Sequence, residues 1–184
     1  MIQDLFSMTG KVCLVTGASS GLGSYMAEGF LAAGAARVFI TGRSEDKLSK
    51  KADELSALSE GQCIPISGDL SDLEGVQALA DAISERESHL DVLVNNAGLG
   101  LGTQIQTMTA KAWDKSMDLN TRSPLFLTQA LLELLKASAT LDDPSRVIFI
   151  SSVAASAVLP SVLAYSTSKK ALEHLTPSLA LALN

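Results

Sequence analysis

Short runs of aliphatic and β-branched residues recur along the chain at Lys11–Thr16, Arg37–Thr41, Cys63–Ser67, Asp91–Val94 and Arg146–Ile150. Within each run the apolar residues are consecutive rather than alternate, the pattern of a strand covered on both faces. Between the runs, apolar residues fall at helical spacing. Examples are Tyr25, Ala27 and Phe30–Ala33, and then Leu73, Val76, Leu79, Ala80 and Ile83, with Ser71 or Asp72 placed to cap the second helix. Regular alternation of strand and helix implies parallel pairing through crossovers, hence a doubly wound parallel α/β sheet with helices on both sides. The longest helical stretch, about Thr109–Ala137, contains Pro124, which removes a backbone donor and is expected to kink or interrupt it. Pro177 intrudes in the same way on the last helix, which should lose a hydrogen bond unless it already ends there.

Composition sharpens this picture. A chain of 184 residues that is 47% apolar can bury one sizeable core, which predicts a single domain over residues 1–184. A net charge of −6 disfavours a nucleic-acid partner, because phosphate backbones are held by concentrated Lys and Arg. Cys13 and Cys63 each lie in an apolar run and read as buried small hydrophobes rather than a disulfide or a reactive thiol. His89 and His174 match no metal or triad spacing, so His89 is expected at the surface, His174 on a helix, and no metal is expected. The N-terminus lacks a basic stretch followed by a long apolar one, and no later segment is long enough to span a bilayer. A soluble cytoplasmic protein with no membrane partner is expected.

The first strand runs directly into Thr16-Gly17-Ala18-Ser19-Ser20-Gly21-Leu22-Gly23, and an apolar helix follows from near Ser24. At such a junction Gly17 permits a tight turn, Gly21 lets backbone approach a pyrophosphate, and Gly23 allows close helix–strand packing. The helix N-terminus then presents oriented N–H groups to an anion. Cofactor choice falls where the second strand ends, because a carboxylate there binds the ribose 2′-hydroxyl and repels a 2′-phosphate. This chain has Thr41-Gly42-Arg43-Ser44, with no carboxylate and with an Arg able to pair with a phosphate, so NADP(H) is favoured.

Tyr165 and Lys169 stand at i and i+4, neighbours on one helix face. A free phenol ionises near pH 10 and is a poor proton donor at neutrality, whereas a cation one turn away stabilises phenolate. Ser152 lies thirteen positions before Tyr165, just after the fifth apolar run, where a hydroxyl can hydrogen-bond a substrate oxygen; Ser151 is its rival. Asn95-Asn96-Ala97-Gly98 follows the fourth run, and Asn side chains there can satisfy backbone groups. Asn120 is unfavourable by propensity inside a helix.

In this order, T-G-x-x-x-G-x-G, N-N-A-G, Asn120, Ser152 and Tyr-x-x-x-Lys resemble the short-chain dehydrogenase/reductase family across nearly the whole chain. Residues 61–71 and 145–154 look like its 3-oxoacyl-reductase branch. The resemblance implies a Rossmann fold and an oxidoreductase that moves hydride between NADP(H) and a small carbonyl or secondary alcohol. It implies Asn120, Ser152, Tyr165 and Lys169 as the catalytic set, with Asn120 linking a water path to Lys169. Candidate cofactor contacts are Gly17, Ser19, Ser20, Gly21, Leu22, Gly23, Thr41, Arg43, Asp69, Leu70, Asn96, Tyr165 and Lys169. Asp69 resembles the residue that faces the adenine and could equally be a cap. The family commonly pairs long helices between subunits, which implies a homo-oligomer. Family members continue through two more strands after the helix in which this sequence stops, so an exposed apolar sheet edge is expected. The alternative reading is a truncated, non-catalytic protein that binds NADP(H) or a partner.

Overall fold

The computed structural model describes residues 6–183. Five strands form one parallel sheet: β1 (Val12–Thr16), β2 (Arg37–Gly42), β3 (Gln62–Ser67), β4 (Val92–Asn95) and β5 (Arg146–Phe149). They lie in the order β3-β2-β1-β4-β5. Helices α1 (Gly21–Ala32), α2 (Glu45–Ser56) and α3 (Leu73–Ser84) connect the first four strands. Asp72, not Ser71, caps α3, accepting from the Gly75 N–H at 2.8 Å. This is the doubly wound Rossmann fold that the alternation predicts.

Alternate residues of the central strands feed two separate cores. Cys13, Val15, Val38, Ile40, Val92 and Val94 pack on Ala27, Leu31, Leu48 and Ala52. Val12, Leu14, Phe39 and Leu93 face the other way, onto Val76, Leu79, Ile83, Leu127 and Leu131. Continuous apolar strands therefore follow from burial on both faces. The reading of five buried strands fails at β3, the edge strand beyond β2, which alternates between exposed and covered positions. An edge strand has one neighbour and a partly uncovered face. Along β5 an apolar groove is lined by Leu132, Val147, Phe149, Leu179 and Leu183.

The predicted long helix over 109–137 is in fact broken. It consists of α4 (Ala110–Met117), a widened π turn (Asp118–Arg122), α5 (Ser123–Ala130) and α6 (Leu132–Ala137). Pro124 sits in the first turn of α5 and has no N–H for the carbonyl four residues back, that of Asn120, so the irregularity falls before the proline. Pro177 does not end α7 (Leu163–Leu183), which runs through it. His89 is half-buried beside Asp91, with Nε2 3.5 Å from its carboxylate, while His174 is exposed on α7. No helix among the described residues is long and apolar enough to cross a membrane.

Candidate active site

In this strand order the chain leaves β1 toward β2 on one side and later returns to build β4 on the other, so a crevice opens at the carboxyl ends of β1 and β4. The loops after those two strands are stitched together there. The Thr16 hydroxyl accepts from the N–H groups of Asn96 and Ala97 at 3.0 and 2.9 Å. The Asn96 amide donates to the carbonyls of Thr16 and Gly17 at 2.8 and 3.1 Å. Thr16 escaped the sequence reading, although it opens the motif. Asn96 does the structural work expected of it.

The glycines divide by what surrounds them. Gly17 has φ +66°, and a Cβ there would stand 2.8 Å from the Cα of Ala97. At Gly23 a Cβ would meet the Gly17 carbonyl oxygen at 2.6 Å. Gly21 differs: φ is +61° and nothing lies within 4 Å, so its backbone borders open space. Helix α1 begins here, three residues earlier than expected, and Ser20 stands at its N-cap position with no side-chain hydrogen bond to the helix. No acidic residue occupies its first turn. The terminal N–H groups of a twelve-residue helix thus face the crevice with partial positive charge and no internal acceptor. An anion fits that end.

A cleft of about 360 Å³ continues from this end over the carboxyl edges of β2 and β3. Of the candidate cofactor contacts it is lined by Gly17, Ser19, Ser20, Thr41, Arg43, Asp69 and Leu70, whereas Gly21, Leu22, Gly23, Asn96, Tyr165 and Lys169 lie outside its lining; Gly98, Lys115 and Leu119 also border it. Arg43 is exposed and, like Lys115, joins no ion pair among the described residues. The Thr41 hydroxyl is buried without a hydrogen-bond partner. Asp69 is exposed and accepts from the Ser71 N–H at 3.0 Å, so the turn role is realised in a residue that also borders the cleft. Lys115 was invisible in the sequence because nothing in the α4 pattern separates it from an ordinary solvated lysine. Leu22 and Tyr25 project from the start of α1 and are 68% and 70% exposed.

The remaining candidates converge at the other end of the crevice. Lys169 is 4% exposed, and its Nζ donates to the Ile150 carbonyl at 2.7 Å and stands 6.0 Å from the centre of the Tyr165 ring. Burial holds its pKa below the ordinary lysine value, since a desolvated ammonium is disfavoured. Asn120, fully buried in the π turn, accepts from the Leu99 N–H at 2.7 Å. Its amide nitrogen donates to the Leu99 carbonyl at 3.0 Å and to the Ser168 hydroxyl at 2.9 Å. Both amide hydrogens are therefore used, which leaves none for the water path that the family resemblance implies.

A Cβ on Gly98 would lie 3.2 Å from Asn120 Oδ1 and 3.4 Å from Lys169 Nζ, and one on Gly100 would touch the Tyr165 ring edge at 4.0 Å. The segment 98–100 thus threads between Asn120, Lys169 and Tyr165. Ser152 follows β5, is half-buried, and accepts from the Ala154 N–H at 3.2 Å, which leaves its own O–H free to donate. Ser151 instead donates to Glu173 Oε1 at 3.1 Å. The two serines separate clearly: one is engaged by α7, the other is available. No group of three or more His, Cys, Asp or Glu able to hold a metal occurs among the described residues.

A doubly wound sheet, a glycine loop opening onto an uncapped helix end, and a Tyr–Lys pair beside the switch point define a nucleotide-dependent class of protein. The family described as short chain dehydrogenase matches residues 11–184, and the chain belongs to that family, in its 3-oxoacyl-reductase-like branch. It is 44% identical over 180 residues to the rhamnolipids biosynthesis 3-oxoacyl-[acyl-carrier-protein] reductase of Pseudomonas aeruginosa, covering 97% of this chain and 69% of that protein. The solved Pseudomonas aeruginosa RhlG/NADP active-site complex superposes with a TM-score of 0.91 at 43% identity, over 97% of this chain and 69% of that one. A chain from Escherichia coli CFT073 complexed with NADPH gives 0.85 at 31% identity, over 95% and 72%. Other relatives are spanned less fully: 64% of the oxidoreductase UcpA of Salmonella typhimurium and 49% of an Armillaria gallica relative.

Proposed function

We propose that this chain carries the cofactor-binding and catalytic parts of an NADP(H)-dependent reductase that acts on a carbonyl carbon, a 3-oxoacyl thioester being the first substrate to try. The observation that carries the reading is the meeting of Lys169, Tyr165 and Asn120 around residues 98–100, at one end of a crevice whose other end offers free helix N–H groups. A pyrophosphate would be held by the start of α1 at Gly21, where the backbone is open. Arg43 would pair with a 2′-phosphate, and Asp69 and Leu70 would border the adenine. The bound dinucleotide supplies the hydride.

What the protein supplies is position and a proton. Ser152 donates a hydrogen bond to the carbonyl oxygen, and Tyr165 donates the proton that the reduced oxygen requires. Negative charge developing on the phenol oxygen is offset by Lys169, which is held in place by Ile150 and shielded from water, where a charge acts more strongly. The test is titration of the chain with NADPH and NADH, followed by turnover on ketones and 3-oxoacyl thioesters. Tight NADPH binding is expected, with turnover that Tyr165→Phe abolishes while binding persists. Normal turnover in Tyr165→Phe would remove that residue from the mechanism. Binding without any turnover in the unaltered chain would favour a non-catalytic nucleotide-binding protein.

A further inference from the structure

Ser168 is an unspecified position within Tyr-x-x-x-Lys, yet it is fully buried at the centre of the site. Its Oγ donates to the Tyr165 carbonyl at 2.7 Å and accepts from Asn120 Nδ2 at 2.9 Å. Its own carbonyl accepts from the Thr121 hydroxyl at 3.0 Å. One residue therefore ties the turn of α7 that bears both Tyr165 and Lys169 to the π turn that bears Asn120.

The chemistry of these bonds fixes an orientation. Having given its single hydrogen to Tyr165, the Ser168 hydroxyl can only accept, so the NH₂ side of the Asn120 amide must face it. The amide oxygen then faces the Leu99 N–H, and the second amide hydrogen faces the Leu99 carbonyl. Asn120 grips Leu99 as a neighbouring strand would. Gly98 and Gly100, on either side, are thereby held against Lys169 and the Tyr165 ring.

We infer that Ser168 is a positioning residue: through Asn120 it sets the register between α7 and segment 98–100, and so the alignment of Tyr165 and Lys169 with substrate. This rests on the proposed reductase reading for its catalytic consequence, but not for its geometry. The bond exists for its orientation, because a residue needed only to fill space could be any small side chain.

The experiment compares Ser168→Ala, Ser168→Cys and Asn120→Ala, together with the Ser168→Ala/Asn120→Ala pair. Hydrogen exchange at the Leu99 amide and steady-state kinetics with NADPH are measured on each. Ser168→Cys keeps the volume but offers a weak acceptor, so it separates packing from hydrogen bonding. In both Ser168 variants Leu99 exchange is expected to accelerate about tenfold or more, and kcat to fall about tenfold with KM changed less than twofold, the size of one lost buried hydrogen bond. In the pair, loss of Ser168 should add almost nothing to Asn120→Ala. Unchanged Leu99 exchange in Ser168→Cys, or losses that add in full in the pair, would overturn the inference. Absence of turnover in the unaltered chain would instead defeat the reductase reading, and the Leu99 exchange would still decide the role of Ser168.

Discussion

Replacing Gly23 with alanine gives the most direct test of how the nucleotide loop is built. The added methyl would lie 2.6 Å from the Gly17 carbonyl oxygen, 2.7 Å from Asn96 Nδ2 and 2.8 Å from the Ala18 Cα. None of these neighbours is a flexible side-chain end, since Asn96 Nδ2 is itself fixed by the carbonyls of Thr16 and Gly17. Restoring ordinary contact requires α1 to retreat from the sheet by about 0.8 Å, which strains the packing, or the Asn96 amide and the Gly17 carbonyl to give way, which stretches the Asn96 bonds. Overpacking of this kind costs roughly 1–3 kcal/mol, and loss of one or two buried hydrogen bonds adds about 1 kcal/mol each. Against this stands only the helix propensity gained on exchanging Gly for Ala, about 1 kcal/mol. The net expectation is a destabilisation of about 2–3 kcal/mol, or roughly 5–10 °C in Tm for a chain of this size. Gly29 lies in the same helix with nothing within 4 Å of the position its Cβ would take. Gly29→Ala should therefore stabilise by up to about 1 kcal/mol. Thermal unfolding of the two variants, followed by circular dichroism, checks both signs. If Gly23→Ala melted within about 2 °C of the unaltered chain, the close approach of loop and helix would be refuted.

Gly21→Ala should fold with a small loss, about 1 kcal/mol for its left-handed backbone, yet bind NADPH far more weakly; fluorescence titration beside a melting curve separates the two effects. Arg43→Ala should weaken NADPH about tenfold or more while leaving NADH nearly unchanged, since a single charge-assisted pair is removed; equal losses for both cofactors would place the 2′-phosphate elsewhere. Burial pushes the Cys13 thiol up to about 12, so the native state keeps the proton while the unfolded chain releases it above about pH 9. Stability from this group is complete below pH 9 and is lost as pH rises toward 12, at about 1.4 kcal/mol per pH unit; urea unfolding from pH 8 to 11 should show an alkaline slope that Cys13→Ala reduces. The same burial predicts that a thiol reagent modifies Cys13 only on unfolding.

Strand positions, the sheet's parallel character and the residues of the nucleotide loop were legible because each is set by local chemistry. Consecutive apolar residues demand cover on two faces, and a glycine with positive φ, such as Gly17, shows in the sequence as a glycine after a strand. The four proposed catalytic residues were likewise visible as motif members. The sequence could not show that β3 would lie at an edge, because an edge is a property of order in the sheet and not of the strand itself. Spacing favoured Ser152 over Ser151, but the contact that engages Ser151 comes from Glu173, 22 residues away in the chain, and could not be read from the motif. The break in the 109–137 helix was foreseen from Pro124, but its form as a π turn centred on Asn120 depends on what that amide grips across the fold. Ser168 and Thr16 bond to partners 48 and 80 positions away, and Lys115 borders a cleft built from other segments, so none of the three stands out in its own stretch of sequence. Local pattern decides what each segment can be, whereas contacts between segments decide which polar groups are spent within the fold and which are left to face the crevice.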